Sequence, residues 1–341
     1  MLQAELDRFF RTRDRARLGA ASVEPLDEHG FVLRPDGAPG PDANGPDGDG
    51  RDIDLVILAL VHGDEYGGLP VINALCRLIE TGALAPGPTI AFVLGNVPAA
   101  HAGRRFLERD LNRSFARTDT ETAEDRRARQ IEPVLRRARF VVDLHQTIEP
   151  CHTPFFIFAF TQANLGFCQS ISTTLPAVTH KGATYWETAK GLTLFEYVVH
   201  VGAIGTAVEL GQKGFGFYDE SAGLAVTTGA IATLRGLADG AALPAASDEA
   251  NPLYTWQAIV PYPEGEVALD EGLVNFQPIR QGQRLGRVDG APIEAPSDGA
   301  LLFPKYARTP GEPKPSELYR LMRRIPLAEL TAGDDPAAAN G

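Results

Sequence analysis

The chain has 341 residues, of which 44% are hydrophobic and 22% charged, a composition typical of a soluble globular protein. Its length is sufficient to bury a sizeable core without disulfides. The formal charge of −12 argues against nucleic-acid or anionic-membrane partners, because these need a basic surface. The three scattered cysteines have no CxxC spacing, so we expect neither a disulfide framework nor a thiolate zinc site. A reducing compartment fits this cysteine content best.

The N-terminal region, residues 1–52, is predicted to hold one helix and a long loop. Residues 2–17 mix apolar and charged side chains at helical spacing, and residues 31–34 could form a short strand. Pro, Gly, Asp and Asn dominate residues 35–52, which is typical of a solvated loop. No apolar core of signal-peptide length and no window of roughly 18 apolar residues is present, so we expect a cytoplasmic protein.

Continuous Val, Ile and Leu runs predict buried strands at 54–63, 89–96 and 139–147. The segments between them have helical periodicity, and this alternation predicts an α/β domain with a mainly parallel sheet. Residues 154–160 and 202–211 are predicted to be further strands.

The texture of the sequence changes near residue 250. Short apolar pieces separated by Gly, Pro, Asn and Asp predict a small β-rich domain. We therefore divide the chain into the N-terminal region, an α/β domain at 53–245, a β-rich C-terminal domain at 250–330 and a tail at 331–341.

Potentially reactive groups follow several of the predicted strands, where α/β sheets bind their ligands. His62 and Glu65 end the first strand, and His145 lies near the end of the third. Two imidazoles and a carboxylate would leave one coordination position of a zinc ion open for water. The HxxE spacing alone is a weak signal, and a solvated turn with a capping acid is the alternative.

Two further features are compatible with catalysis. The segment 103–115 is rich in arginine, and its Asn112–Arg113 pair suits a substrate carboxylate, with an exposed basic loop as the alternative. Glu209 ends the apolar strand at 202–211, where burial would raise its pKa towards that of a general base. A strand-end acid in water or paired with Lys213 is equally compatible with the local sequence.

The motifs HGDE, RDLNRSF, DLHQT and VELG, in this order and at these separations, resemble the succinylglutamate desuccinylase/aspartoacylase family, relatives of the zinc carboxypeptidases. The resemblance covers about residues 54–225 and extends less specifically into the β-rich region. It implies an α/β/α sandwich with a mixed, largely parallel sheet, and a smaller β-rich C-terminal domain.

The resemblance also implies roles for individual residues. One zinc ion per chain would be held by His62, Glu65 and His145, with Glu209 as the general base. Arg105 would polarise the scissile carbonyl, and Asn112 and Arg113 would bind a substrate carboxylate. Separately, the position of Asp143 two residues before His145 suggests that it orients this imidazole. Residues 180–200, including Trp186, Glu187 and Phe195, correspond to a variable substrate-facing segment, although core packing is at least as good an explanation for the aromatic side chains.

We therefore predict a zinc-dependent hydrolase that cleaves the amide bond of a small acidic or zwitterionic N-acyl amino acid. A carboxypeptidase acting on peptides is one alternative, and the size of the opening to the site would discriminate. A non-catalytic metal-binding or amino-acid-binding protein is the other. The acyl group and the amino acid are not readable from the sequence. The oligomeric state is not readable either, and a homo-oligomer remains open.

Overall fold

A mixed β-sheet of 13 strands is the main feature of the computed structural model, which describes residues 1–38, 50–85, 87–118, 121–149, 151–180, 191–306 and 315–331. In these ranges the strands are β1 Arg17–Leu18, β2 Ala21–Asp27, β3 Gly30–Pro35, β4 Ile53–Ala59, β5 Ile90–Leu94, β6 Ala138–Thr147, β7 Phe155–Ala159, β8 Ala177–His180, β9 Ile204–Gln212, β10 Leu253–Pro261, β11 Val267–Leu269, β12 Pro278–Ile279, β13 Arg284–Val288, β14 Ala291–Glu294, β15 Gly299–Leu302 and β16 Glu317–Arg324. The helices are α1 Leu2–Arg13, α2 Gly68–Glu80, α3 Val97–His101, α4 Ala123–Arg136, α5 Gln162–Ile171, α6 Leu194–His200, α7 Phe217–Ala238 and α8 Leu327–Thr331, with a 3-10 turn at Leu111–Arg113.

The middle of the sheet has the parallel order β5-β4-β6-β9. Every residue of β5 and all but one residue of β4 are buried, which explains why these two strands have continuous apolar sequences. Helices α1, α2, α5 and α7 contribute to the hydrophobic core on one face, and α4 and α6 to the core on the other. The predicted α/β fold is confirmed, and the carboxyl ends of these four strands lie along one edge.

The N-terminal region contributes more strands than its sequence predicts. Helix α1 ends at Arg13, and β3 pairs antiparallel with β5, so β1, β2 and β3 extend the main sheet. Most of the Pro/Gly/Asp-rich loop, residues 39–49, lies outside the described residues, as does the tail from residue 332. The predicted domain boundaries remain predictions.

The β-rich C-terminal region is confirmed and is connected to the main sheet. Strand β10 pairs parallel with β8 and antiparallel with β16, and β15 and β12 continue beyond β16. Strands β11, β13 and β14 form a separate three-stranded sheet. None of the described helices has both the length and the apolar character needed to cross a membrane.

Candidate metal centre and active site

The site begins where β4 ends. Leu60 has a φ of 59°, so the backbone turns sharply out of the strand before His62. A Cβ at Gly63 would lie 2.5 Å from the backbone nitrogen of Ala100, so only glycine fits this close approach to α3. The turn places His62 and Glu65 at the carboxyl edge of the sheet, as the sequence predicts.

His62, Glu65 and His145 form one buried cluster whose potential ligand atoms all lie within 4.8 Å of one another. The Nδ1 atom of His62 is 2.8 Å from Glu65 Oε1 and 3.2 Å from Nδ1 of His145, and the latter is 2.9 Å from Glu65 Oε2. Three donors from two distant segments therefore face one point and could hold a metal ion.

The second nitrogen of each imidazole faces a carboxylate. Nε2 of His145 lies 2.6 Å from Asp143 Oδ2, and Nε2 of His62 lies 3.1 Å from Asp110 Oδ1. Burial by itself lowers the pKa of His145, but Asp143 and Glu65 outweigh it and raise the pKa well above the usual value. These carboxylates fix the ring orientations and leave both Nδ1 atoms directed at the centre of the cluster.

Glu209 lies beside the cluster on the neighbouring strand. It pairs in register with His145, so the two side chains project from the same face of the sheet. Its Oε2 atom is buried without a hydrogen-bond partner among the described residues. Burial, reinforced by the charge of Glu65, raises the pKa of Glu209 to about 7. The sequence was also compatible with a pair between Glu209 and Lys213. The structure pairs Lys213 with Asp64 instead, at 2.8 Å.

Arg105 lies directly against the cluster. Its guanidinium is 3.1 Å from Glu65 Oε1, 3.3 Å from Asp110 Oδ2 and 2.7 Å from Nε2 of His62. Its side chain retains 34% exposure and lines the cavity. The guanidinium is therefore placed to hold negative charge that develops on a ligand beside the cluster.

A buried carboxylate on α4 holds the loop that carries Arg105. Glu124 is 1% exposed and accepts hydrogen bonds from the backbone nitrogens of Leu107, Glu108 and Arg109, at 2.7, 3.3 and 3.2 Å. It also accepts from Asn96 Nδ2 at 3.0 Å. Sequence reasoning missed this residue, because an acid in the first turn of a helix is fully explained by the helix dipole.

The predicted carboxylate-binding pair follows the same loop. Oδ1 of Asn112 accepts the backbone N–H of Leu194 at 2.8 Å, so its amide nitrogen remains the donor towards the cavity. Arg113 is exposed to the cavity and has no carboxylate partner among the residues that the structure describes. Asp110, two residues before Asn112, was missed as a functional residue although it lies inside the quoted RDLNRSF motif.

The cluster opens into a cavity of about 980 Å³. Phe195, 8% exposed, lines it, whereas Trp186 and Glu187 lie outside the described residues. The C-terminal strands and their loops form another part of the wall, with Trp256, Ile259, Phe303, Lys305, Glu317 and Arg320. The sequence did not single out Lys305, since a lysine in a loop is normally a solvated one.

Comparison of the sequence with known proteins identifies relatives of this chain. The family described as "Succinylglutamate desuccinylase/Aspartoacylase catalytic domain" matches residues 51–233. A succinylglutamate desuccinylase of Burkholderia lata is 31% identical over 176 residues, which are 46% of this chain and 48% of that protein. One of Serratia proteamaculans is 27% identical over 245 residues, 68% of this chain and 73% of its own. The chain thus spans about half the length of the Burkholderia relative that it matches.

Solved structures agree with the fold. The structure of succinylglutamate desuccinylase from Vibrio cholerae aligns with a TM-score of 0.65 at 17% identity, over 93% of this chain and 94% of its own. Murine aminoacylase 3 aligns with a TM-score of 0.59 at 18% identity, over 80% of this chain and 95% of its own. The family match covers more than half of the chain and includes all four motifs of the site. The chain belongs to the succinylglutamate desuccinylase/aspartoacylase family.

Proposed function

We propose that this protein is a zinc-dependent hydrolase that cleaves the linear amide bond of a small N-acyl amino acid. The observation that carries the proposal is the meeting of a His62–Glu65–His145 donor cluster with Glu209, a half-buried residue whose Oε2 atom is buried without a hydrogen-bond partner among the described residues. The names of the relatives, desuccinylases and an aminoacylase, are those of enzymes that remove acyl groups.

Zinc is the metal that best suits the three donors. A tetrahedral zinc ion with bonds of about 2.0–2.1 Å separates its ligand atoms by about 3.3 Å. The two Nδ1 atoms of His62 and His145 are 3.2 Å apart, close to that spacing, and each lies within 2.9 Å of one of the two Glu65 oxygens. Two imidazoles and one carboxylate also leave a position open, as catalytic zinc sites do.

A zinc ion held there would activate a water molecule and polarise the scissile carbonyl. Glu209 takes a proton from the attacking water and passes it to the leaving amine, for which a pKa of about 7 is suited. Arg105 holds the negative charge that develops on the carbonyl oxygen. Arg113 and the Asn112 amide nitrogen bind a substrate carboxylate and fix its position relative to Glu209.

The shape of the cavity supports a small substrate over a peptide. The C-terminal strands contribute Trp256, Phe303 and Arg320 to its wall. Its volume of about 980 Å³ is at the upper end of the range for small-molecule sites, roughly 300–1,000 Å³. The carboxypeptidase alternative would require an open groove in which a chain can continue beyond the site.

A panel of N-acetyl- and N-succinyl-amino acids tests the proposal with zinc-loaded protein. We expect about one zinc ion per chain and release of the free amino acid from at least one compound. Zinc content well below one, or cleavage of peptides only, would contradict it. Cytoplasmic location remains a prediction.

A further inference from the structure

Lys305 is a buried lysine in the wall of the active-site cavity. It follows β15, is 9% exposed, and lines the cavity together with Arg105 and Arg113. Its backbone nitrogen donates to Leu318 O at 2.8 Å, which fixes this loop to the beginning of β16. The ammonium lies 5.1 Å from the centre of the Phe303 ring. The side chain is therefore almost fully enclosed and forms part of the cavity wall beside an aromatic ring.

No described residue offers this ammonium a carboxylate or a hydrogen-bond acceptor within bonding distance. Two carboxylates whose charges attract the ammonium, Glu317 and Glu149, have other hydrogen-bond partners. Glu317 binds Arg320 at 2.9 and 3.1 Å, and Glu149 accepts the backbone N–H of Tyr306 at 3.3 Å. Lys305 is thus a buried cation without a described counter-ion, an arrangement that costs free energy unless an anion is bound.

The other charges around the cavity also favour an anionic ligand at Lys305. Arg105 and Arg320 both repel the ammonium of Lys305, and the same two arginines repel Arg113. Arg105 and Arg320 have carboxylate partners, whereas Arg113 and Lys305 have none among the described residues. Two separate cations in one cavity are therefore available to a ligand with two anionic groups.

We propose that Lys305 is a specificity-determining residue whose ammonium pairs with an anionic group of the substrate, distinct from the carboxylate bound at Arg113. The inference rests on the proposed function for its choice of substrates. Either the acyl chain or the amino-acid side chain could carry this second group, and matched compounds distinguish them. A substrate with a neutral group at this end would leave the buried ammonium unpaired and bind less well.

The test compares Lys305→Met with wild type on two pairs of substrates. N-acetylaspartate against N-acetylasparagine removes a side-chain carboxylate, and N-succinylalanine against N-butyrylalanine removes an acyl carboxylate. In at least one pair we expect wild type to prefer the dianionic member. Lys305→Met should lower kcat/KM for that member by at least about tenfold and leave its partner within about twofold.

Lys213→Met is the matched control, since Lys213 lines the same cavity but is paired with Asp64. It should leave the ratio within each pair unchanged. Equal losses on both members with Lys305→Met, or no preference in wild type, would overturn the role of Lys305 while the proposed hydrolase function stands.

If wild type cleaves none of the four compounds, the same pairs are compared by calorimetric binding instead of by cleavage. A preference for a dianionic member that is lost in Lys305→Met supports the role of Lys305 in recognition. Equal binding to both proteins, or no binding to wild type, overturns it.

Discussion

Replacing Lys305 by methionine should make the unliganded protein more stable at neutral pH. Burial lowers the pKa of Lys305 from its ordinary value of 10.5 to about 8; Glu317 and Glu149 oppose this fall, and Arg105 and Arg320 add to it. Since each tenfold change in a protonation equilibrium corresponds to about 1.4 kcal/mol, the charged ammonium costs the folded state about 3 kcal/mol at pH 7. Methionine has a similar length and carries no charge, so it removes this cost.

The sign of the pH dependence follows from the same shift. Between the folded-state pKa of about 8 and the ordinary value of 10.5, the unfolded chain keeps a proton at Lys305 that the folded chain has released. The free energy of unfolding of wild type therefore rises with pH across this window relative to Lys305→Met. The advantage of the variant should be largest below pH 8 and should disappear as the pH reaches 10.5.

Urea unfolding followed by circular dichroism at several pH values between 6.5 and 10.5 measures this difference. Lys213→Met provides the control, because the partly exposed Lys213–Asp64 pair contributes only about 0–1 kcal/mol. A Lys305→Met variant that is no more stable than wild type at pH 7 would refute the reasoning. So would a gain in stability that stays constant up to pH 10.5.

Three further predictions concern the active site. Glu209→Gln should lower kcat by about 10²–10⁴-fold while zinc content measured by elemental analysis stays near wild type, because it removes a proton acceptor and no metal ligand; loss of the metal would contradict that role. His62→Ala and His145→Ala should each lose most of the zinc, and full retention in both would reject the cluster as the site. Glu124→Gln should lower the free energy of unfolding by about 1–3 kcal/mol, and it should reduce kcat/KM because the loop that carries Arg105 is displaced. An unchanged urea midpoint together with unchanged kinetics would show that this loop does not depend on Glu124.

The central strands could be predicted from sequence because burial on both faces leaves a continuous apolar pattern. The ends of β5 and β6 and the start of β4 lie within one or two residues of the predicted strand ends. Only the end of β4 differs more, because the backbone turns out of the strand at Leu60. Strand β2 was missed because Ala21–Asp27 contains a proline and two acids, and only its pairing with β3 makes it a strand.

The long helix α7 was also missed, for a reason that lies in its packing. Its sequence has three glycines, three threonines and one valine, which disfavour a helix. In the structure a Cβ at Gly223 would lie 2.4 Å from a methyl group of Val71, so glycine permits α7 to pack closely on α2. A packing requirement between residues so far apart in sequence has no local signature.

Within the site, short motifs predicted the groups that meet a metal or a substrate, but not the groups that hold them. Asp110 contacts His62 although 48 positions of sequence separate them. Glu124 accepts hydrogen bonds from backbone nitrogens, which no sequence pattern marks. Lys305 acquires its character only from burial in a wall formed by the C-terminal strands. The sequence shows residue types, whereas these roles depend on which side chains the fold buries and which distant residues it places beside them.

The hydrophobic core determines where the chemistry lies. Leu144 and Val208 pair in register on neighbouring strands and are buried in the core shared with α2. Because side chains alternate along a strand, the next residues, His145 and Glu209, must face the opposite side, towards the cavity. A slip of one residue in either strand would place an acid or an imidazole in the core and a leucine or valine in the cavity. The apolar pair that stabilises the sheet thus also fixes the distance between a metal-ligand candidate and the proposed base.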